Sequence, residues 1–194
     1  MCTLSDELSP AASMIGAVNT VVNDHGRLIG HNTDGIGYMQ AVREAGHDII
    51  GQKMTLLGAG GAATAIAVQA ALDGVKEIAI FNRTGYDFYS NGELTVKKLA
   101  EAVPNCKVSI HPLQDKEALA EAVNHCDILV NATKVGMKPL EDQSLIDPSL
   151  FRPDLVVADT VYNPRETRMI QEAKAAGCKI AVGGIGMLLW QGVA

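Results

Sequence analysis

"LLGAGGAATAIAVQAAL", residues 56–72, sets three glycines and seven alanines between two apolar runs. So small a surface implies that something comes close to this backbone. Residues 54–58 read as a strand and 60–74 as a helix, which places Gly58, Ala59, Gly60, Gly61, Ala62 and Ala63 as G-x-G-x-x-A at a strand-to-helix turn. In that setting the first glycine permits the tight turn and the second admits a pyrophosphate. The third position, here alanine, lets the helix pack on the strand. Amides and the positive dipole end at the helix start would hold the anion. A glycine turn chosen for packing alone is the competing reading, and the strand–turn–helix context weighs against it.

Outward from this stretch, short runs rich in Ile, Val and Leu at 77–82, 107–111, 127–131, 155–159 and 179–182 read as further strands. Helical stretches near 93–103, 115–124 and 164–176 lie between them, the last with Asn163 as cap, Pro164 in the first turn and Glu166 three residues after the cap. The pattern predicts an α/β fold with a doubly wound parallel sheet, whose strand carboxyl ends share one ligand-binding edge. Upstream, Ser9-Pro10 opens a short helix, and "GAVNTVVND" and "RLIGHNTDG" form two strands about the turn Asn23-Asp24-His25-Gly26. "GIGYMQAVREAG", 35–46, has helical spacing and stops at Gly46. We divide the chain into an N-terminal piece with a linker helix, 1–50, and a nucleotide domain, 51–194. A hairpin and one helix close no core alone, so further chain is expected upstream. "WQGVA" ends within an apolar helical run, so truncation is expected there too.

Composition narrows the partners. With 194 residues, 47% hydrophobic, the chain can bury one full core. A formal charge of −6 without a basic block argues against nucleic acid. No run reaches the roughly 18 apolar residues of a membrane span, and the acidic N-terminus is unlike a secretory signal. The chain reads as cytoplasmic, with a small-molecule substrate and a homodimer left open. Cys2, Cys106, Cys126 and Cys178 are scattered, which suits reduced thiols and no metal.

The second strand ends in Asn82-Arg83-Thr84, where a cofactor lacking a 2′-phosphate would ordinarily meet an acid. A planar cation and a hydroxyl suit that phosphate, hence NADP, with Asn82 on the ribose or adenine edge. Asp87 could reach a free 2′-hydroxyl and admit NAD, and an ordinary solvated arginine is the plainer alternative at Arg83. The later strands exit as "NATKVGM", "ADTVYNP" and "VGGIGMLLWQ", which sets Asn131, Thr133, Lys134, Asp159, Tyr162 and Asn163 on a polar rim. In "HNTDG", 31–35, Asp34 faces the same crevice: Asn32, Thr33 and this carboxylate together could hold a polyhydroxylated substrate, and the carboxylate could orient or polarise a proton-transfer partner. A turn or cap role for Asp34 is equally compatible with the spacing.

"GAVNTVVND" with "GHNTDGIGY", then "LLGAGGAATA", "FNRT", "NATKVGMKPLE", "VYNP" and "GGIGMLLWQG" resemble, in order and spacing, the shikimate dehydrogenase family, most closely its quinate/shikimate dehydrogenase branch. The resemblance implies a Rossmann NAD(P) domain joined to an α/β substrate domain, and reversible oxidation of a secondary alcohol of shikimate or quinate. It carries substrate binding to Asn19, Asp34, Tyr162 and Gln191, with Asp34 in the catalytic role. Cofactor contacts carry to Gly58, Ala59, Gly60, Gly61, Ala62, Asn82, Arg83, Thr84, Lys134, Thr160, Val161, Tyr162, Asn163 and Gly184. The family's catalytic lysine belongs to a stretch just upstream of Met1, so the alternative of an inactive NAD(P)-binding module stands beside the enzyme. Glutamyl-tRNA reductase, with a similar C-terminal domain, is a weaker alternative that the N-T-D-G and M-L-L-W-Q motifs speak against.

Overall fold

Four strands share one logic: residues of alternate parity are buried on opposite faces, as a period of two requires when helices cover both sides. The computed structural model describes residues 2–85 and 87–194, with the backbone alone at Asp87. Within β4 (Lys53–Leu57), Met54 and Leu56 join one buried cluster while Leu57 joins the other. The same split separates Ile78 and Ile80 from Phe81 in β5 (Glu77–Asn82), Ile128 and Val130 from Leu129 in β7 (Ile128–Asn131), and Val156 from Val157 in β8 (Val156–Asp159). With β6 (Lys107–Pro112) and β9 (Ile180–Val182) they form a six-stranded sheet in the order β6-β5-β4-β7-β8-β9, parallel throughout. The order reverses between β4 and β7, the switch point of a doubly wound sheet.

The first cluster is roofed by α3 (Gly61–Asp73) and α4 (Asp87–Ala102), the second by α5 (Lys116–His125) and α6 (Arg168–Ala175). Both α1 (Pro10–Ile15) and α2 (Asp34–Glu44) pack on α3, so eight of its residues are buried and small side chains are required all round. The smaller sheet has β3 (Arg27–His31) between β1 (Glu7–Leu8), parallel to it, and β2 (Thr20–Asp24), antiparallel. The hairpin turns on His25 and Gly26, both at positive φ (51° and 94°), and Ser9 caps α1 by accepting from the Ala12 N–H.

Three details differ from the sequence expectation. The helix expected from residue 93 begins at Asp87. The last crossover helix starts at Arg168 with Thr167 as its cap, not at Pro164 with Asn163. The Thr167 hydroxyl accepts from the Ile170 N–H and donates to the buried Asp159 carboxylate (2.7 Å), so a tertiary bond fixes the start four residues later. Strand β1 lies outside the expectation, because two residues carry no readable period.

α2 is wedged against α7 (Ile185–Val193) as tightly as against α3. A Cβ on Gly37 would stand 2.5 Å from the Gln191 nitrogen and 2.8 Å from the Met187 oxygen, both backbone atoms that cannot rotate away. Gly37→Ala should therefore lower stability by about 1–3 kcal/mol. Gly192→Ala, in α7 with open space around its Cβ, should be neutral or slightly stabilising. Urea unfolding of the two variants checks this, and equal effects would refute it.

Candidate functional site

Gly58 leaves β4 at φ +107°, and a Cβ there would lie 2.8 Å from the Ala132 oxygen at the β7 exit. No L side chain suits that conformation or that space. Gly60 and Gly61, in contrast, have nothing within 4 Å of the point a Cβ would occupy, so the concavity beside them is open. Ala59 and Ala63 are buried under α4 and the sheet, and Ala62 is half-buried. The backbone amides at the start of α3 thus border free space that side chains would otherwise fill, which fits a pyrophosphate. Asn82 closes β5 beside this loop, since Leu57 pairs with Phe81 in register. Arg83 and Thr84 follow on the same edge, both exposed, and the Thr84 N–H donates to Gln114 Oε1 (3.5 Å). The Asp87 side chain lies outside the described residues.

The rim residues divide into two kinds. Asn131 and Asp159, expected at the crevice surface, are instead buried and bonded to each other: Asn131 Nδ2 donates to Asp159 Oδ1 (3.0 Å) and to the Val135 carbonyl (2.9 Å). Asn131 Oδ1 accepts from the Thr133 hydroxyl (2.7 Å), while Asp159 accepts from the Val161 N–H (2.9 Å) and Thr167 Oγ1. They fold the two exit loops back over the sheet edge. Burial pushes the Asp159 carboxyl above the ordinary carboxylate range, partly offset by the bonds from Thr167, Val161 and Asn131. Lys134, Tyr162 and Asn163 are exposed on those loops. Thr133, Thr160, Tyr162, Asn163 and Arg168 line a cavity of about 820 Å³ between them. Val161 is buried, with its carbonyl accepting from the Gly184 N–H (3.0 Å). Gly184, also buried, begins α7 where any Cβ would overlap the Thr160 carbonyl.

Asn19 and Asp34 meet directly. Asn19 Nδ2 donates to Asp34 Oδ1 at 2.9 Å, while Asn19 Oδ1 accepts from the Thr33 N–H (3.0 Å) and from the Thr20 hydroxyl (3.1 Å). The Asp34 N–H donates to Asn32 Oδ1 (3.2 Å), so Asn32 makes the turn and the Asp34 carboxylate is left for Asn19. Asn32 and Thr33, the Asn and Thr that the sequence sets beside Asp34, belong to this cluster. Thr20 joins it as a residue that sequence reasoning misses, although its polarity beside Asn19 is the available signal. Burial raises the Asp34 carboxyl above its ordinary value, opposed by the Asn19 bond. Gly35 packs so closely on α3 that a Cβ would overlap the Ala65 carbonyl, and Gly37 brings the backbone of Gln191 beside the same end of α2. The structure therefore brings Asn19 and Asp34 together at the N-terminus of α2, one turn from the backbone of Gln191, whose side-chain amide donates to the Leu188 carbonyl of its own helix (3.3 Å). It joins that end to the helix opened by the glycine loop.

A family profile described as shikimate / quinate 5-dehydrogenase matches residues 40–167. The chain belongs to this family. It is 56% identical over 188 residues to the shikimate dehydrogenase (NADP(+)) of Listeria innocua, covering 96% of this chain and 64% of that relative. Its fold is similar to the Listeria monocytogenes shikimate 5-dehydrogenase solved in complex with shikimate and NAD: TM-score 0.95, 54% identity, 98% of this chain and 65% of that chain. It is also similar to the quinate dehydrogenase of Corynebacterium glutamicum in complex with NAD: TM-score 0.85, 31% identity, 98% of this chain and 65% of that chain. The chain thus spans less than two thirds of the length of these shikimate and quinate dehydrogenases.

Elsewhere, the thiols of Cys106, Cys126 and Cys178 are unpaired and raised by burial, Cys106 to about 11, which keeps them protonated. Among the described residues no helix is long and apolar enough to cross a membrane.

The two carboxylates should respond oppositely to mutation. Asp159→Ala strands the Asn131 amide, the Thr167 hydroxyl and the Val161 N–H, and should cost about 2–4 kcal/mol in urea unfolding. Asp34→Asn keeps an acceptor for Asn19 and should not lower stability at neutral pH. Because the folded carboxyl holds its proton more tightly than the unfolded one, ionising Asp34 loses stability as pH rises from the ordinary carboxylate range through its raised value. Asp34→Asn should flatten that fall. A steep loss of stability at neutral pH in Asp34→Asn would return Asp34 to a structural role.

Proposed function

We propose that this chain is the cofactor-binding body, with part of the substrate cradle, of an NAD(P)-dependent oxidoreductase. The reaction is the reversible oxidation of a secondary alcohol of shikimate or quinate to the 3-dehydro product. The observation that carries the reading is the contact of Gly35 with Ala65: it fixes Asp34, one residue away, to the helix whose first turn is the open glycine loop. In this reading the loop from Gly58 to Ala62 takes the pyrophosphate of NADP. Arg83 and Thr84 take the 2′-phosphate, and Asn82 the ribose or adenine edge. Lys134, Thr160, Val161, Tyr162, Asn163 and Gly184 border the nicotinamide arm, the buried Val161 and Gly184 by shaping its wall. NADP, when bound, supplies the chemistry of hydride acceptance and return. The chain's own part is to bind substrate hydroxyls through Asn19, Tyr162 and Gln191. Asp34 stands where the alcohol proton must be taken up or its carrier oriented. The names of the relatives, and the ligands in their solved complexes, support shikimate as substrate and both cofactors as candidates.

A second reading, cofactor binding without turnover, is favoured by one observation. Among the described residues Asp34 is bonded by Asn19, and no lysine, arginine or histidine is ion-paired with it. Lys53 and Lys107 are engaged by Glu77 (3.7 and 3.0 Å) at the strand starts, the opposite edge of the sheet. Oxidation releases a proton that needs an acceptor within about 2.6–3.2 Å, and losing a positioned one costs roughly two to four orders of magnitude. We therefore expect the 194-residue chain to bind NADP without measurable oxidation of shikimate or quinate. Turnover within about ten-fold of the Listeria innocua relative, in a preparation free of host dehydrogenase, would overturn that second reading.

Cofactor choice is tested at Arg83. A charge-assisted bond to the 2′-phosphate is worth roughly 1.5–3 kcal/mol, so Arg83→Ala should weaken NADP about ten-fold or more and leave NAD nearly unchanged. Calorimetric titration with each cofactor decides, and equal losses would refute the assignment.

A further inference from the structure

We propose that Asn91 is a positioning residue for the dinucleotide, acting through the glycine loop; the proposal rests on the cofactor reading above. Asn91 sits in the second turn of α4, the helix that follows Arg83 and Thr84. Its Nδ2 donates to the Ala59 carbonyl at 2.7 Å and to Thr64 Oγ1 at 3.1 Å. Both amide protons are thus used across the first turn of α3, one on the loop and one on the helix. A trans peptide is planar, with C=O and the following N–H pointing opposite ways. Turning the Ala59 carbonyl toward α4 therefore turns the Gly60 N–H away from α4. Beside Gly60 and Gly61 nothing lies within 4 Å of the point a Cβ would occupy, so there is room there for the anion. Asn91 in this way aims an amide donor at the site of the anion without touching it.

The surroundings of Asn91 hold it to this task. Its own carbonyl accepts from the buried Thr95 hydroxyl at 2.9 Å, which pins the turn. The next residue is Gly92, where a Cβ would overlap Ile110 and stand 3.1 Å from the Ala59 Cβ, so α4 lies as close to the loop as the backbone permits. Asn91 thereby connects the pyrophosphate loop with the helix that carries the 2′-phosphate residues at its approach. Arg83 selects between cofactors, whereas Asn91 serves whatever both cofactors share.

The test measures dissociation constants of three probes, NADP, NAD and adenosine 2′-monophosphate, for the 194-residue chain and its variants. The last probe keeps the 2′-phosphate and lacks the pyrophosphate. Asn91→Leu keeps the side-chain volume and loses both donors. It should weaken NADP and NAD by a similar factor, roughly five- to thirty-fold, and leave adenosine 2′-monophosphate within about two-fold. Arg83→Ala should give the complementary pattern, losing NADP and adenosine 2′-monophosphate while sparing NAD. Asn91→Asp, which places an acceptor against the Ala59 carbonyl, repeats the measurement if the leucine variant does not fold, with the same pattern expected. Equal weakening of all three probes would mean that Asn91 only staples α4 to α3, and no change in any would mean that the loop does not need it. Either result overturns the proposal. If the unmodified chain binds none of the three probes, the cofactor reading itself fails and the assignment of Asn91 falls with it.

Discussion

The candidate site depends on one packing constraint: α3 lies at alanine distance from everything around it. Ala65, Ala67, Ala70 and Ala71 are fully buried, and the backbone of α2 approaches so closely at Gly35 that no side chain fits between. Interiors packed to this density do not yield by small degrees, so a displacement of α3 has to be passed on to its neighbours. The helix that presents the glycine loop at its N-terminus is thereby the same body that sets the position of Asp34. On its other side α2 is seated on α7 through Gly37, and Gly186 of α7 is in turn within 3.0 Å, at its Cβ position, of Ala41. The glycine loop, the Asp34 carboxylate and the Gln191 backbone are therefore set by one rigid stack.

Two amide–carboxylate pairs in this molecule show how burial decides a role. Asn131 and Asp159 are nearly sealed from water, and every bond they make to other residues is to loop backbone or to a hydroxyl that caps a helix or a turn. Such a network is costly to interrupt and has nothing left to offer a ligand. Asn19 and Asp34 have the same chemistry with one difference: Asn19 is exposed and Asp34 only half-buried. Water, or a polyhydroxylated ligand in its place, can reach them. Desolvation raises both aspartates, yet only Asp34 sits where a proton can come and go.

Much of this is legible in the sequence, for a definite reason. Strands buried on both faces announce themselves by composition, and all six of the parallel sheet fall within a residue or two of expectation. The glycine loop is legible because its chemistry is local: a turn, an open backbone and a helix start lie within six residues. What escapes is set by distance in the chain. The N-terminus of α6 is chosen by a bond from Thr167 to Asp159, and Asn163-Pro164 imitates a cap that the fold does not use. Asn131 and Asp159 look like rim residues because a strand end in isolation does not reveal whether its polar tip meets water or another strand's tip. Asn91 lies 32 residues from the carbonyl that it holds, with no pattern to flag it.

A chain with a formal charge of −6 is on its face a poor host for a cofactor carrying several phosphates, yet net charge describes the far field and not the edge of a sheet. In a parallel sheet every helix that follows a strand begins at the carboxyl edge, so α3, α4, α5, α6 and α7 all start on that side. Each helix start contributes a fixed partial positive charge of about half a unit, falling off within a turn. The lysines that could have balanced the acids are partly committed at the opposite edge, where Lys53 and Lys107 flank Glu77. Topology thus makes the carboxyl edge attractive to anions whatever the total charge. Net charge is therefore no argument against an anion at this edge, where Arg83 and Lys134 are exposed on the exits of β5 and β7.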